Sequence, residues 1–283
     1  MRRALLLVLL AACDDALDQR LAIIDEPRVL AVISEPAEAK PGATVTYRAI
    51  LAGPDGTPAT TPSWSFCTSP KPPTEDNAVA VGCANGSEGI DLGTAAEVTG
   101  TVPTDACILF GPDVPPGGFR PRAADPTGGY YQPVRVATGD LVAIGLSRVT
   151  CKLPAAPFEV ARRYDTAYVA NQNPTLLPST LARVPANTDI TLSAAWPADS
   201  AEPYLYFDPK AQQLVERREA MRVSWFATAG SLAVDATAIA EDDPSTEAST
   251  TWHTPGLGTA HVWMVLRDSR GGIAAQAVEV TVE

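Results

Sequence analysis

Apolar residues occupy every second position near the end of the chain: Ala260, Val262, Met264 and Leu266, then Val278, Val280 and Val282. Between the two rows lies Arg267-Asp268-Ser269-Arg270-Gly271-Gly272, a turn sequence, so the stretch reads as a β-hairpin with one face on a core. A helix cannot bury such a row on one side, because its faces repeat every 3.6 residues. The same period recurs near the front, where Val45, Tyr47, Ala49 and Leu51 alternate with Thr44, Thr46, Arg48 and Ile50, and only Ile50 breaks the polar row. The pattern also repeats along the chain. Pro185 leads to Ile190, Leu192 and Ala194 as Pro41 leads to Val45, Tyr47 and Ala49, with one extra residue, and Val223-Ser224-Trp225 matches Pro62-Ser63-Trp64. These rows predict an all-β chain built from two related units.

Residues 29–33, 63–67, 106–110, 134–137 and 141–149 read as further strands of the first unit. Between 68 and 106 nothing periodic is legible. Phe158, Ala161, Tyr164 and Tyr168 have helix spacing behind Pro157, which is tolerated at a helix start. They predict a short helix over 158–169, its aromatic face packed on one unit. In the second unit Tyr204-Leu205-Tyr206-Phe207 and Gln213-Leu214-Val215-Glu216 flank Asp208-Pro209, so the long insert at 196–221 reads as a hairpin-like excursion. With 26 Pro and 20 Gly among 283 residues, the chain is loop-rich yet below the range of low-complexity disorder. A net charge of −12 repels phosphate backbones, so nucleic acid is not expected as a partner.

At the front, Arg2 and Arg3 precede an apolar run at 4–12, closed by Leu10-Ala11-Ala12-Cys13. This is the order of a secretory signal with a small-residue cleavage site, and the run is far short of the roughly 20 residues that span a bilayer. The stretch resembles the bacterial lipoprotein signal, whose lipobox is Leu-small-small-Cys. The resemblance implies diacylation of Cys13, cleavage before it and acylation of the new amine. The protein is then expected in the bacterial cell envelope, held to a membrane through Cys13 and facing the periplasm or the cell surface. Residues 14–26 read as an acidic tether. Asp14 after the lipidated cysteine marks inner-membrane retention in enteric bacteria, a rule that does not hold across all bacteria, so inner and outer membrane both stay open.

Four further cysteines remain, Cys67, Cys83, Cys107 and Cys151, an even number in an exported chain. Of the three possible pairings, Cys67–Cys83 with Cys107–Cys151 closes the shorter loops, worth about 3 and about 4 kcal/mol on the chain-entropy model. A zinc site is disfavoured, because no pair has Cys-x-x-Cys spacing and neither histidine lies near them.

Trp225 in the third strand, and a final hairpin containing Val265-Leu266-Arg267-Asp268-Ser269-Arg270-Gly271-Gly272, resemble bacterial Ig-like modules of the PKD and cadherin-like type. The match covers about 185–283 and, more weakly, 27–153. The whole chain is similar to uncharacterised Gram-negative lipoproteins with tandem modules of this kind. The implied plan is a signal at 1–12, a lipidated tether at 13–26, a disulfide-stapled Ig-like domain at 27–155, a linker helix at 156–170 and a second Ig-like domain at 171–283. Such motifs specify a sandwich core and no activity. In that core Trp64 and Trp225 are expected to be buried.

The chain has two histidines, His253 and His261, and no Gly-x-Ser-x-Gly, phosphate-cradling loop or His-Glu-x-x-His sequence. No catalytic residue, metal ligand or cofactor is assigned. Glu241, Asp242 and Asp243 before Pro244 could offer oxygens to calcium, against the plainer reading of a solvated acidic loop. Asp268 is expected to support its own turn. The excursion places Tyr204, Tyr206 and Phe207 close to Arg217, the composition that binding hot spots favour. The leading expectation is a non-enzymatic, envelope-anchored binding or scaffolding module with an envelope protein or glycan as partner. A glycan-binding module using loop aromatics and a hydrolase with an unrecognised site are the alternatives.

Overall fold

Each alternating row found its core. The computed structural model describes residues 21–72, 78–113 and 124–283; Cys13 and the signal lie outside the described residues. The first module is formed by β1 (Arg28–Glu35), β2 (Glu38–Ala39), β3 (Thr44–Ala52), β4 (Ser63–Phe66), β5 (Ile90–Thr94), β6 (Glu97–Thr101), β7 (Gly129–Thr138) and β8 (Leu141–Thr150). They make two sheets, ordered β1-β3-β6 and β2-β8-β7-β4-β5. Val45, Tyr47, Trp64, Phe66, Val134 and Val136 fill the space between them. A helix α1 (Val81–Ala84) and a helix α2 (Ala106–Leu109) lie in the long connections. The strand expected at 106–110 is thus a helical turn: a short apolar run carries no period that separates the two, and here it seats Cys107 against Cys151.

Helix α3 (Phe158–Ala167) joins the modules. The second module is built from β9 (Arg183–Val184), β10 (Asp189–Ala195), β11 (Pro203–Asp208), β12 (Gln213–Arg218), β13 (Met221–Ala227), β14 (Ser231–Leu232), β15 (Ala236–Ile239), β16 (Glu247–His253), β17 (Gly258–Asp268) and β18 (Ile273–Val282). Its sheets run β10-β16-β14 and β15-β13-β17-β18-β9. The five-stranded sheets of the two modules follow one plan. A short strand pairs in parallel with the last strand, then come the penultimate strand, the Trp-bearing strand and an edge. The chain is therefore all-β, two tandem Ig-like β-sandwiches with a short helix between them. Trp64 and Trp225 are both buried, and their ring N–H groups donate to Ala95 O and Thr237 Oγ1. Both expected disulfides form, Cys67–Cys83 and Cys107–Cys151.

The modules lie side by side, which the strand pattern alone did not announce. Trp263 and Val265 face outward from β17 and are nonetheless buried, against Leu30, Ala31, Ile50 and Ala52 of the first module. Ile50, the break in the polar row of β3, is thereby explained. Arg267 reaches across to donate to Leu30 O at 2.7 Å, where β1 carries a bulge between Val29 and Ala31. The contact runs the length of β17. At one end Gly56, with φ +102°, lies so close to His261 that a Cβ there would sit 2.9 Å from the imidazole. At the other, Tyr131 OH donates to Arg270 O at 3.2 Å.

The tether reading of 14–26 needs a correction at its end. Ala227 N donates to Ala22 O and Ile24 N to Ala227 O, both at 2.9 Å, and Ile24 is fully buried beside Trp263. Ala22 and Ile24 belong to the apolar run Leu21-Ala22-Ile23-Ile24, and they dock on the second module.

Candidate functional site

Strand register gives the molecule two unlike ends. Residues 53–62, 139–140, 185–188, 228–230 and 254–257 connect strands at the lower end, where Ala227 pairs with Val262 and Gly258 with Val282. All but 53–62 are short turns. The upper end, where Met221 pairs with Asp268 and Gly129 with Thr150, carries most of the described irregular chain. Both disulfides, helices α1, α2 and α3 and the β11–β12 hairpin gather there. Loops held at one end of a rigid sandwich are the usual carriers of binding function.

Beneath that upper surface lies a buried polar junction. Glu38, from the first module, accepts hydrogen bonds from Thr150 Oγ1 at 2.8 Å, Tyr168 OH at 2.6 Å and Asn171 N at 2.9 Å. Arg148 Nε stands 3.2 Å from the same carboxylate as an ionic contact, both side chains being almost wholly buried. Burial alone would discourage the Arg148 charge; Glu38, Tyr168 and Tyr131 outweigh it and hold its pKa above the ordinary value. From the second module Arg270, only 1 % exposed, donates to Glu219 Oε1 at 2.6 Å, Glu202 Oε2 at 2.9 Å and Tyr168 OH at 3.2 Å. Burial and the nearby Asp268 carboxylate push the Glu219 carboxyl up to about 7, against the opposing pull of Arg270. Asp268 closes its turn as expected, accepting from the backbone N–H groups of Arg270 and Gly272 and from Asn171 Nδ2. Tyr168 therefore ties both clusters together. Sequence reading treated Arg270 as a turn residue and passed over Glu38, Arg148 and Glu219. Nothing local marks them, because their partners lie on other strands and loops, 17 to 133 residues away along the chain.

The hairpin residues divide. Phe207 is buried against Leu153 and Tyr164, and Phe207 N donates to Pro126 O at 2.8 Å. As a binding residue it is unavailable: it fastens the hairpin to the first module and the linker. Tyr204 and Tyr206 share one face of β11 and are half-buried. The Arg217 guanidinium lies 3.7 Å over the Tyr206 ring, and Arg270 sits 5.1 Å from the Tyr204 ring. In α3 the packed aromatics are Tyr164 and Tyr168, stacked at 4.6 Å, whereas Phe158 is 79 % exposed. One turn too early on the helix, it misses the surface its spacing implied.

The histidines are not assembled into a catalytic set. His253 pairs with Asp189 at 2.7 Å on an exposed strand face, and His261 packs near Trp263 and the Gly56 turn. Among the described residues no hydroxyl is hydrogen-bonded to either ring, and no group of three or more His, Cys, Asp or Glu converges as a metal site. Asp243 caps its own loop, accepting from Ser245 N at 2.9 Å and Ser245 Oγ at 2.6 Å, and those bonds hold its carboxyl below the usual range.

No protein-family model matches the chain, and no curated protein does. Among solved structures it is similar to the fibronectin(III)-like modules of CbhA from Clostridium thermocellum, at 10% identity over 94% of this chain and 92% of that one, with a TM-score of 0.24. It is similar to the D0-D1 domain of intimin, at 13% identity over 90% and 99%, TM-score 0.24. The two tandem V-type regions of VCBP3, a v-region-containing chitin-binding protein, match at 10% identity over 90% and 100%, TM-score 0.32. Likeness at this level carries no functional inference.

Proposed function

We propose that the protein is a non-enzymatic, membrane-anchored envelope module that binds a partner through its upper end. The observation that carries this reading is the inequality of the two ends. Most of the long connections, both disulfides and the aromatic hairpin lie opposite the end where Leu21 stands, at which the ten-residue connection 53–62 is the exception. A junction of buried ion pairs and an apolar seam lock the modules, so the upper loops are displayed on one rigid block. Disulfides persist in oxidising compartments, which agrees with export and with lipidation of Cys13. Among the described residues no helix is long and apolar enough to cross a membrane. Tyr206 with Arg217 stacked upon it is the proposed contact, an aromatic–guanidinium pair of the kind enriched in hot spots. A glycan partner is the second reading, favoured by Tyr204 and Tyr206 standing on one strand face.

Changing Tyr204 and Tyr206 to Ser and crosslinking on intact cells tests the proposal. Loss of a crosslinked partner with an unchanged melting temperature supports it. A large fall in melting temperature with the partner retained shows a hairpin that serves only its own fold. Separately, Cys13→Ser is expected to move the protein from the membrane fraction to the soluble fraction; unchanged membrane retention would refute the anchor.

A further inference from the structure

The lower end has features that its strand connections do not require. Leu257, at the tip of Pro255-Gly256-Leu257-Gly258, is 80 % exposed, and Leu21 is 61 % exposed. Ala22 and Ile24 pin the chain to Ala227 at this same end, so Leu21 is held at the lower end. Eight residue steps separate Cys13 from Leu21, and a fully extended chain covers at most about 29 Å in that many steps. A lipid on Cys13 therefore keeps Leu21 within that distance of the bilayer surface, and the upper end lies about 36 Å from the lower along the eleven residues of β17.

We infer that the lower end, with Leu257 and Leu21 outermost, is a lipid-facing foot that rests on the zwitterionic surface of the membrane holding Cys13. The inference rests on the reading of Cys13 as lipidated and adds to it a fixed orientation. Two exposed leucines suit the apolar side of the headgroup region, where amphipathic surfaces settle about 5–10 Å deep. The charge selects the lipid. Asp25, Glu26, Asp55, Asp189, Glu279 and Glu283 are exposed at or near this end, and Arg28 and Arg183 are already paired, with Asp25 and Glu283. An anionic surface would repel such a foot, whereas phosphatidylcholine or phosphatidylethanolamine would not.

The test uses the full acylated protein on phosphatidylcholine–phosphatidylethanolamine vesicles, with an environment-sensitive fluorophore on Leu257→Cys or, as the upper-end control, on Lys210→Cys. Both sites are exposed, so labelling spares the fold. A blue shift and quenching by lipid-borne spin labels at 257, with neither at 210, is the expected result. A water-like signal at 257, on vesicles that retain the protein and with Cys13 shown by mass spectrometry to be acylated, overturns the foot and leaves the anchor standing. A Cys13 without lipid overturns both. A shift at 257 that appears without vesicles and grows with protein concentration reports a second copy on this surface and also overturns the foot.

Discussion

At the scale of single residues the most consequential side chains are buried charges. Arg270 is held by Glu219, Glu202 and Tyr168 at once, so its removal strands the Glu219 carboxylate away from water. Arg270→Met is expected to destabilise the fold by about 3–5 kcal/mol, the usual cost of leaving one half of a buried pair; urea unfolding measures it, and a change within experimental scatter would contradict the role given to Arg270. Glu219 supplies a pH signature. Its carboxyl titrates near 7 in the folded protein against 4.5 ordinarily, so the native state binds the proton more tightly. The favourable contribution is complete below about pH 4.5 and is lost as the pH rises through 7. Glu219→Gln keeps the shape of the protonated acid, so the melting temperature of the variant minus that of the parent is expected to rise between pH 4.5 and pH 8. A difference independent of pH would mean that Glu219 is ionised throughout.

Among the elements, the hairpin β11–β12 has two sides with separate tasks. Phe207→Ala removes a buried ring shared with Leu153 and Tyr164 and is expected to cost about 3–5 kcal/mol, whereas Tyr206→Ala, on the half-exposed face, is expected to leave the melting temperature nearly unchanged. Calorimetry on the two variants separates them, and equal losses would contradict the division. Strands with strict alternation, β3, β17 and β18, were legible because one face was plainly apolar. The hairpin at 203–218 was legible from two β-rich runs around Asp208-Pro209. Strand β16 was not: its buried row of Ala248, Thr250 and Trp252 is set among Ser and Thr, and two of its three members are small or polar. Helix α2 was misread because four residues show no period. Phe207 fitted the composition of a binding patch, and only the position of Pro126 and α3 shows that it points into the molecule.

For the whole molecule, the decisive feature is that the sandwiches pack laterally and are not strung end to end as a rod. The signs were in the sequence as exceptions: Ile50 in a polar row, and Trp263 and Val265 on the face shared with His261. Each is an apolar residue on a side that solvent should own, and together they form the seam. Trp263→Ala is expected to open the seam, increasing the radius of gyration in small-angle scattering while each module keeps its own core; an unchanged profile would show that the polar junction alone suffices. The seam and the junction fix the upper end at a set distance from the lower, which is what a presenting module needs. The most direct measurement of that role places a photo-crosslinking amino acid at Tyr206, or at Asp55 on the lower end, in intact cells. A protein or glycan partner captured from Tyr206 and absent from Asp55 is the expected result; a partner captured from Asp55 alone, or from neither position, would contradict it.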